Sequence, residues 1–329
     1  MPEPLRVLIT DRAWPDTCIE GGILGSVGAE IIEPPATDEP TLSQLAASAD
    51  AIITNWAQVT TNVVQNARKC RVICRSGIGL DNIDIATATA RGVPVTNIPD
   101  YCVTEVADHS LALLLACARQ IAFFHLRTKQ GEYQLQAARP MPRLSGKVLG
   151  LIGLGRIARA LAERARALGM QLAAYTPSGN ARGLDCQMLS LDALLETSDF
   201  ISIHAPLTPA TKHLLGMAQF ERMKRNAYLI NTSRGGLIDH TALAAALDRG
   251  LLAGAALDVF DPEPPDLTQP LFRDERVIVT PHAAFVSVES LIELRTRVAR
   301  QVLEVFQGRR PESVVNPEVY ENRSGTKAT

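Results

Sequence analysis

The stretch KVLGLIGLGRIARALAERARALG, Lys147 to Gly169, decides the fold. An apolar run meets two closely spaced glycines and gives way to a helical pattern with Ile157, Leu161, Ala165 and Leu168 on one face, which Gly169 ends. This is a G-x-G-x-x-A fingerprint in the order strand, turn, helix. Gly153 permits the tight turn, Gly155 lets the main chain approach a pyrophosphate, and Ala158 lets the helix pack closely on the strand. The amides of Arg156 and Ile157 would face that anion at the positive end of the helix.

The next strand, QLAAYT, arrives on schedule, and its end is where an NAD site usually carries an acid for the ribose hydroxyls. Thr176 stands there instead. Thr176 and Ser178 can donate hydrogen bonds, and Arg182 can reach a 2'-phosphate that a carboxylate would repel, which favours NADP. Alternatively, Thr176 tolerates NAD with weaker discrimination, and Arg182 is a solvated loop charge.

Working outward, short apolar or β-branched runs alternate with helical patterns along almost the whole chain, so the class is α/β with parallel sheets. RVLIT, AEIIE, AIIT, RVICRS and PVTN make one small doubly wound sheet, with helical stretches at 42–48 and 83–91. A long helical pattern covers 103–129. A second sheet of about six strands follows in KVLGLI, QLAAYT, FISIHA, AYLINTS, AGAALDVF and VIVTPH. A last helix carries Leu291, Leu294, Val298, Val302, Val305 and Phe306, and the polar tail ENRSGTKAT is expected to fray.

At 329 residues the chain has room for about two domains of roughly 150 residues each. Its 33 basic and 35 acidic side chains leave a formal charge of -2 without a block of either sign, which argues against nucleic acid and membrane partners. The six cysteines, among them Cys70 and Cys74, are scattered without a C-x-x-C pair, so no metal site is expected. Small core residues in a reduced, cytoplasmic protein are the plain reading. The run LALLLACA, Leu111 to Ala118, is too short to span a bilayer.

Three later segments each place a reactive side chain just beyond a strand, where open α/β sheets gather their ligands. They are INTSRGGLID with Arg234, DVFDPEPP with Glu263, and VIVTPHAAF with His282. A guanidinium can hold the carboxylate of a 2-oxo acid and polarise its carbonyl, and the two glycines after Arg234 would leave room for that substrate. His282 is the group able to act as an acid near neutrality, and a carboxylate such as Glu263 would favour its imidazolium. Each has a plainer reading: a surface charge for Arg234, a solvated loop acid for Glu263, a helix cap for His282. The other histidines, including His109, read as structural; His204 ends a strand and could line the coenzyme site.

Together the segments RSGIGLDNIDI, NIPDYCVTEVADHSLALLLACAR, GLIGLGRIA, HAPLT, LINTSRGGLID, ALDVFDPEP and TPHAA resemble the D-isomer-specific 2-hydroxyacid dehydrogenases over nearly the whole chain. The resemblance implies Arg234 as substrate-binding residue, Glu263 as partner and His282 as proton donor and acceptor. It also implies that Asp258 lies near the nicotinamide carboxamide, that the Ile78 and Gly79 amides hold the substrate carboxylate, and that Val106, His204, Ala205, Pro206, Thr232 and Ser233 lie along an NAD or NADP coenzyme. The implied architecture is a Rossmann coenzyme domain, 102–286, inserted into a flavodoxin-like substrate domain formed by 1–101 and 287–329. Family members pair as homodimers through the coenzyme domain, and SLALLLACAR would suit that interface, or a helix buried within one subunit.

TNWAQVT, Thr54 to Thr60, lacks the arginine that 3-phosphoglycerate dehydrogenases place near there for a phosphate. Asn55 and Trp56 would then line a pocket for a smaller 2-oxo acid such as glyoxylate, hydroxypyruvate or pyruvate, though a tryptophan there is as often packing. The expected activity is reduction of such an acid to its D-2-hydroxy acid. The alternatives are a 3-phosphoglycerate dehydrogenase, a donor such as phosphite on the same scaffold, and a coenzyme-sensing binding protein, since YCVTEVADH also resembles the C-terminal-binding-protein corepressors.

Overall fold

The computed structural model describes residues 3–324. The chain divides into two compact units, Met1–Tyr101 with Ser287–Thr329, and Cys102–Val286.

The first unit is built on β1 (Arg6–Ile9), β2 (Glu30–Ile32), β3 (Ala51–Thr54), β4 (Ile73–Arg75) and β5 (Val95–Thr96). They pair in the order β2-β1-β3-β4-β5, all parallel, which is the flavodoxin-like winding. The runs 7–9 and 51–53 at its centre are apolar and buried because helices cover both faces of a parallel sheet. The two chain ends meet here: in helix Val288–Phe306 the buried Arg295 forks onto the buried Glu20 of helix Cys18–Leu24, at 2.9 Å from Nε and 2.8 Å from a terminal nitrogen. Removing one partner of such a buried pair typically costs about 3–5 kcal/mol, because it strands the other charge away from water.

The second unit contains β6 (Val148–Ile152), β7 (Gln171–Tyr175), β8 (Gln187–Met188), β9 (Phe200–Ile203), β10 (Tyr228–Asn231), β11 (Gly254–Leu257) and β12 (Val277–Val279). The order is β12-β11-β10-β9-β6-β7-β8, again all parallel, and it reverses direction between β6 and β9. Alternate residues feed two cores. Tyr228 and Ile230 pack with helices Val103–Ala118 and Arg156–Ala167, and Leu229 faces helices Leu191–Thr197 and His240–Asp248.

Three expectations change. The second sheet has a seventh strand, β8, whose two residues pair with Ala173 and Ala174 and are too few to carry a pattern. The helical run 103–129 is two helices, Val103–Ala118 and Ile121–Lys129, meeting at 65°. Gln120 makes the break: its φ of 53° is left-handed, and its side-chain amide donates to the Cys117 carbonyl and the Tyr228 hydroxyl, each at 2.9 Å. Those two bonds offset the roughly 1 kcal/mol that the left-handed conformation costs a residue with a Cβ. Finally, the start of the polar tail belongs to helix Glu318–Ser324, while 325–329 lie outside the described residues.

Among the described residues no single helix is long and apolar enough to cross a membrane. Cys70 and Cys74 are buried core residues, their thiols pushed up to about 12 by burial.

Candidate active site

The fingerprint forms the turn its sequence dictates. Gly153 sits at φ +94°, and a Cβ there would lie 2.7 Å from the His204 carbonyl oxygen, so the turn after β6 abuts the end of β9 at the point where strand order reverses. Gly155 is the N-cap of helix Arg156–Ala167 and has no side-chain cap. A Cβ at Gly155 would meet nothing within 4 Å, which leaves open space over the helix N-terminus. The residues therefore suit a pyrophosphate: main-chain donors, a positive helix end, and no side chain in the way.

A row of contacts runs from this turn along the C-terminal ends of the strands. On one side the Gly153 amide donates to Tyr175 at 2.9 Å, which sets Thr176 beside the turn. Thr176 Oγ1 lies 3.4 Å from Ser178 Oγ, and Arg182 follows on an exposed loop. On the other side, Ala205 and Pro206 follow His204, and the Ser233 hydroxyl donates to the Ala205 carbonyl at 2.7 Å. Thr232 and Ser110 share a hydroxyl contact at 2.7 Å, one turn along the helix from the buried Val106. The buried Asn231 holds both sides of the next loop, accepting from the Ser233 amide at 3.0 Å and donating to the Arg234 carbonyl at 2.8 Å.

Gly235 has a different reason from the one expected. It is buried, and a Cβ there would fall 1.9 Å from the Phe260 carbonyl carbon. The glycine lets the Arg234 loop lie against the loop that carries Glu263; it does not leave room for a substrate. The consequence is electrostatic. Burial pushes the Glu263 carboxyl up, but the hydrogen bond and charge of His282, the Phe260 amide and the charge of Arg234 outweigh it and hold the group below the usual carboxylate range. Arg234 and His282, both named from the sequence, are therefore each in electrostatic reach of Glu263.

Glu263 is committed at both oxygens: Oε1 accepts from the Phe260 amide at 2.8 Å, and Oε2 lies 2.8 Å from His282 Nδ1. A carboxylate below its usual range only accepts, so Nδ1 carries the hydrogen of this pair. His282 itself sits at φ 51°. A histidine held in the left-handed region is the kind of strain that surrounding contacts must maintain. His204, by contrast, is pushed down to about 4 by burial, with Nε2 2.9 Å from Ser202 Oγ. It stays neutral near pH 7 and cannot be the acid.

In the first unit the candidate substrate residues also lie at strand ends. Asn55 and Trp56 follow β3, and their amides donate to the Asp11 carboxylate at 2.9 and 2.6 Å. Trp56 is 41% exposed, so it is not core packing. Ile78 and Gly79 follow β4, where Asn97 donates to the Ile78 carbonyl at 2.8 Å. Sequence reading missed Arg75: it is buried at the end of β4 and donates to Asn55 Oδ1 at 3.2 Å. The stretch 54–60 has no arginine of its own, yet folding supplies one from the neighbouring strand. It also missed how Asp258 is used. That carboxylate is wholly buried and accepts from Thr280 Oγ1 and from the amides of Ala283 and Ala284.

The second unit is thus a dinucleotide-binding domain that carries an acid-supported imidazole and a guanidinium along one sheet edge. Residues 111–284 match the family described as D-isomer specific 2-hydroxyacid dehydrogenase, NAD binding domain. The chain is 39% identical over 272 residues to a glyoxylate reductase of Korarchaeum cryptofilum, covering 80% of this chain and 82% of that one. It is 37% identical over 326 residues to a D-3-phosphoglycerate dehydrogenase of Methanocaldococcus jannaschii, covering 98% of this chain and 61% of that one. It superposes with a TM-score of 0.84 and 28% identity on the NADPH-dependent glyoxylate/hydroxypyruvate reductase of Sinorhizobium meliloti in complex with NADP and malonate, covering 95% and 97% of the two chains. The chain belongs to the D-isomer-specific 2-hydroxyacid dehydrogenase family of oxidoreductases. Its coenzyme is NAD or NADP.

Proposed function

We propose that the protein reduces a small 2-oxo acid to its D-2-hydroxy acid, and catalyses the reverse. The observation that carries this reading is the 2.8 Å pair of His282 and Glu263, with the charge of Arg234 reaching the same carboxylate. Bound reduced nicotinamide supplies the hydride. Arg234 draws electron density toward the carbonyl oxygen, and His282 Nε2 delivers the proton to that oxygen, while Glu263 holds the ring by Nδ1. In the oxidative direction His282 takes the hydroxyl proton back. Ile78 and Gly79 would bind the substrate carboxylate, with Asn55 and Trp56 selecting what lies beyond the carbonyl carbon. Val106, Gly153, Gly155, Arg156, Ile157, Thr176, His204, Ala205, Pro206, Thr232, Ser233 and Asp258 would hold the coenzyme.

Coenzyme oxidation with glyoxylate, hydroxypyruvate, pyruvate and 3-phosphohydroxypyruvate tests the proposal. Turnover of an unphosphorylated acid is expected. Coenzyme binding without turnover of any of them would instead make this a binding protein.

The finer coenzyme choice rests on Thr176 and Arg182, since QLAAYTPSGNAR has no carboxylate to repel a 2'-phosphate. NADPH is expected to be preferred. Arg182→Ala should lower kcat/KM for NADPH about tenfold or more, the worth of one charged hydrogen bond, and leave NADH unchanged. A tenfold preference of the wild type for NADH would reject the assignment.

The protein is further proposed to be a homodimer paired through the second unit. Ile121, Leu126, Tyr133 and Leu135 expose large apolar surface on one stretch just after helix Val103–Ala118, as interfaces do. Light scattering should give twice the chain mass for the wild type and a lower mass for Leu126→Lys; a monomeric wild type would sink this part.

A further inference from the structure

His109, read from the sequence as structural, sits on helix Val103–Ala118 with Nε2 3.1 Å from Thr280 Oγ1 and 3.5 Å from Asp258 Oδ1. Thr280 Oγ1 donates to Asp258 Oδ1 at 2.5 Å. A hydroxyl has one proton, so toward His109 it must accept, and His109 Nε2 carries the hydrogen. The direction of the chain is therefore settled: His109 to Thr280 to Asp258.

Asp258 in turn fastens the segment around His282. Its carboxylate accepts from the Ala283 and Ala284 amides, both at 2.9 Å, and its carbonyl accepts from the His282 amide at 2.8 Å. Asp258 has no exposed surface, and His109 Nε2, 3.5 Å from its Oδ1, brings a polar hydrogen toward that buried carboxylate. His282 at φ 51° would relax to an ordinary conformation if these bonds loosened, and its ring would leave Glu263.

We infer that His109 is a positioning residue for His282, acting through Thr280 and Asp258 to hold the strained turn in which the imidazole can protonate the substrate. This rests on the reading of His282 as proton donor. The test compares His109→Phe, His109→Gln, Thr280→Val and His282→Asn with the best 2-oxo acid of the panel, measuring kcat, the solvent isotope effect on kcat, and NADPH or NADH affinity by fluorescence titration.

For His109→Phe the expected result is a fall in kcat of about tenfold to a hundredfold, the usual cost of a misplaced reacting group, with a larger solvent isotope effect and coenzyme affinity within about twofold. His109→Gln, which keeps a donor at the Nε2 position, should recover most of the rate. Thr280→Val should behave like His109→Phe, and it carries the same expectation if the phenylalanine variant fails to fold. Full turnover in His109→Phe beside an inactive His282→Asn overturns the inference and leaves the role of His282 standing. A loss of coenzyme affinity that matches the loss of rate also overturns it. Full turnover in His282→Asn removes the proton donor itself, and the inference with it.

Discussion

Replacing His282 with asparagine is expected to lower kcat by about 10²- to 10⁴-fold, the range a well-placed general acid contributes. Asparagine can keep a hydrogen bond to Glu263 in place of Nδ1, so the loop should survive, but it has no proton to give at neutral pH. The effect should therefore fall on kcat, with coenzyme affinity unchanged. Glu263→Gln is the companion variant. With the carboxylate gone, His282 Nδ1 loses its charged acceptor and the ring its fixed orientation, so kcat should fall while coenzyme affinity holds. The wild-type pair has an acid limit. The Glu263 carboxyl is held below its usual range, so its contribution to stability is complete above the unfolded value near 4.5 and disappears as pH falls through the folded value. A kcat that is identical in the wild type and Glu263→Gln across the pH profile would show that this carboxylate does not act through His282.

The second large effect is expected at Arg234. Arg234→Lys keeps the charge but loses the planar fork that can grip a carboxylate and a carbonyl together, and kcat/KM should drop about 10²-fold. Arg234→Ala should drop it about 10³-fold, in line with removal of a preorganised donor from a developing oxyanion. If Arg234 only bound the ground state, KM would rise and kcat would hold; a fall in kcat is what separates the two roles. Its charge is also among the influences that lower Glu263, so Arg234→Ala should move the acid limb of the profile upward. A lysine variant with wild-type kcat/KM would show that the guanidinium fork is not used.

The coenzyme turn was legible because everything it needs lies within Lys147–Gly169: a strand, a glycine that tolerates φ +94°, a second glycine with open space over it, and an amphipathic helix. Local sequence determined it because the residue types that shape it are local, although what the turn abuts, Tyr175 and His204, lies outside that stretch. Arg234, Glu263 and His282 could be nominated by residue type at predicted strand ends, but not joined, since that depends on β10, β11 and β12 lying in order.

What only the tertiary structure decided is what each of these residues leans on. His109 and Thr280 are 171 positions apart and become neighbours when helix Val103–Ala118 packs on the sheet that carries Asp258. Arg75 stands beside Asn55 because β3 and β4 pair with Thr54 opposite Arg75. Gly235 looks like space for a substrate in the sequence and proves to be the near-contact point of two loops. Periodicity and turn chemistry report what a residue does for its own segment; which distant segment it will face follows from how the sheets and helices pack, and no window of the sequence contains that.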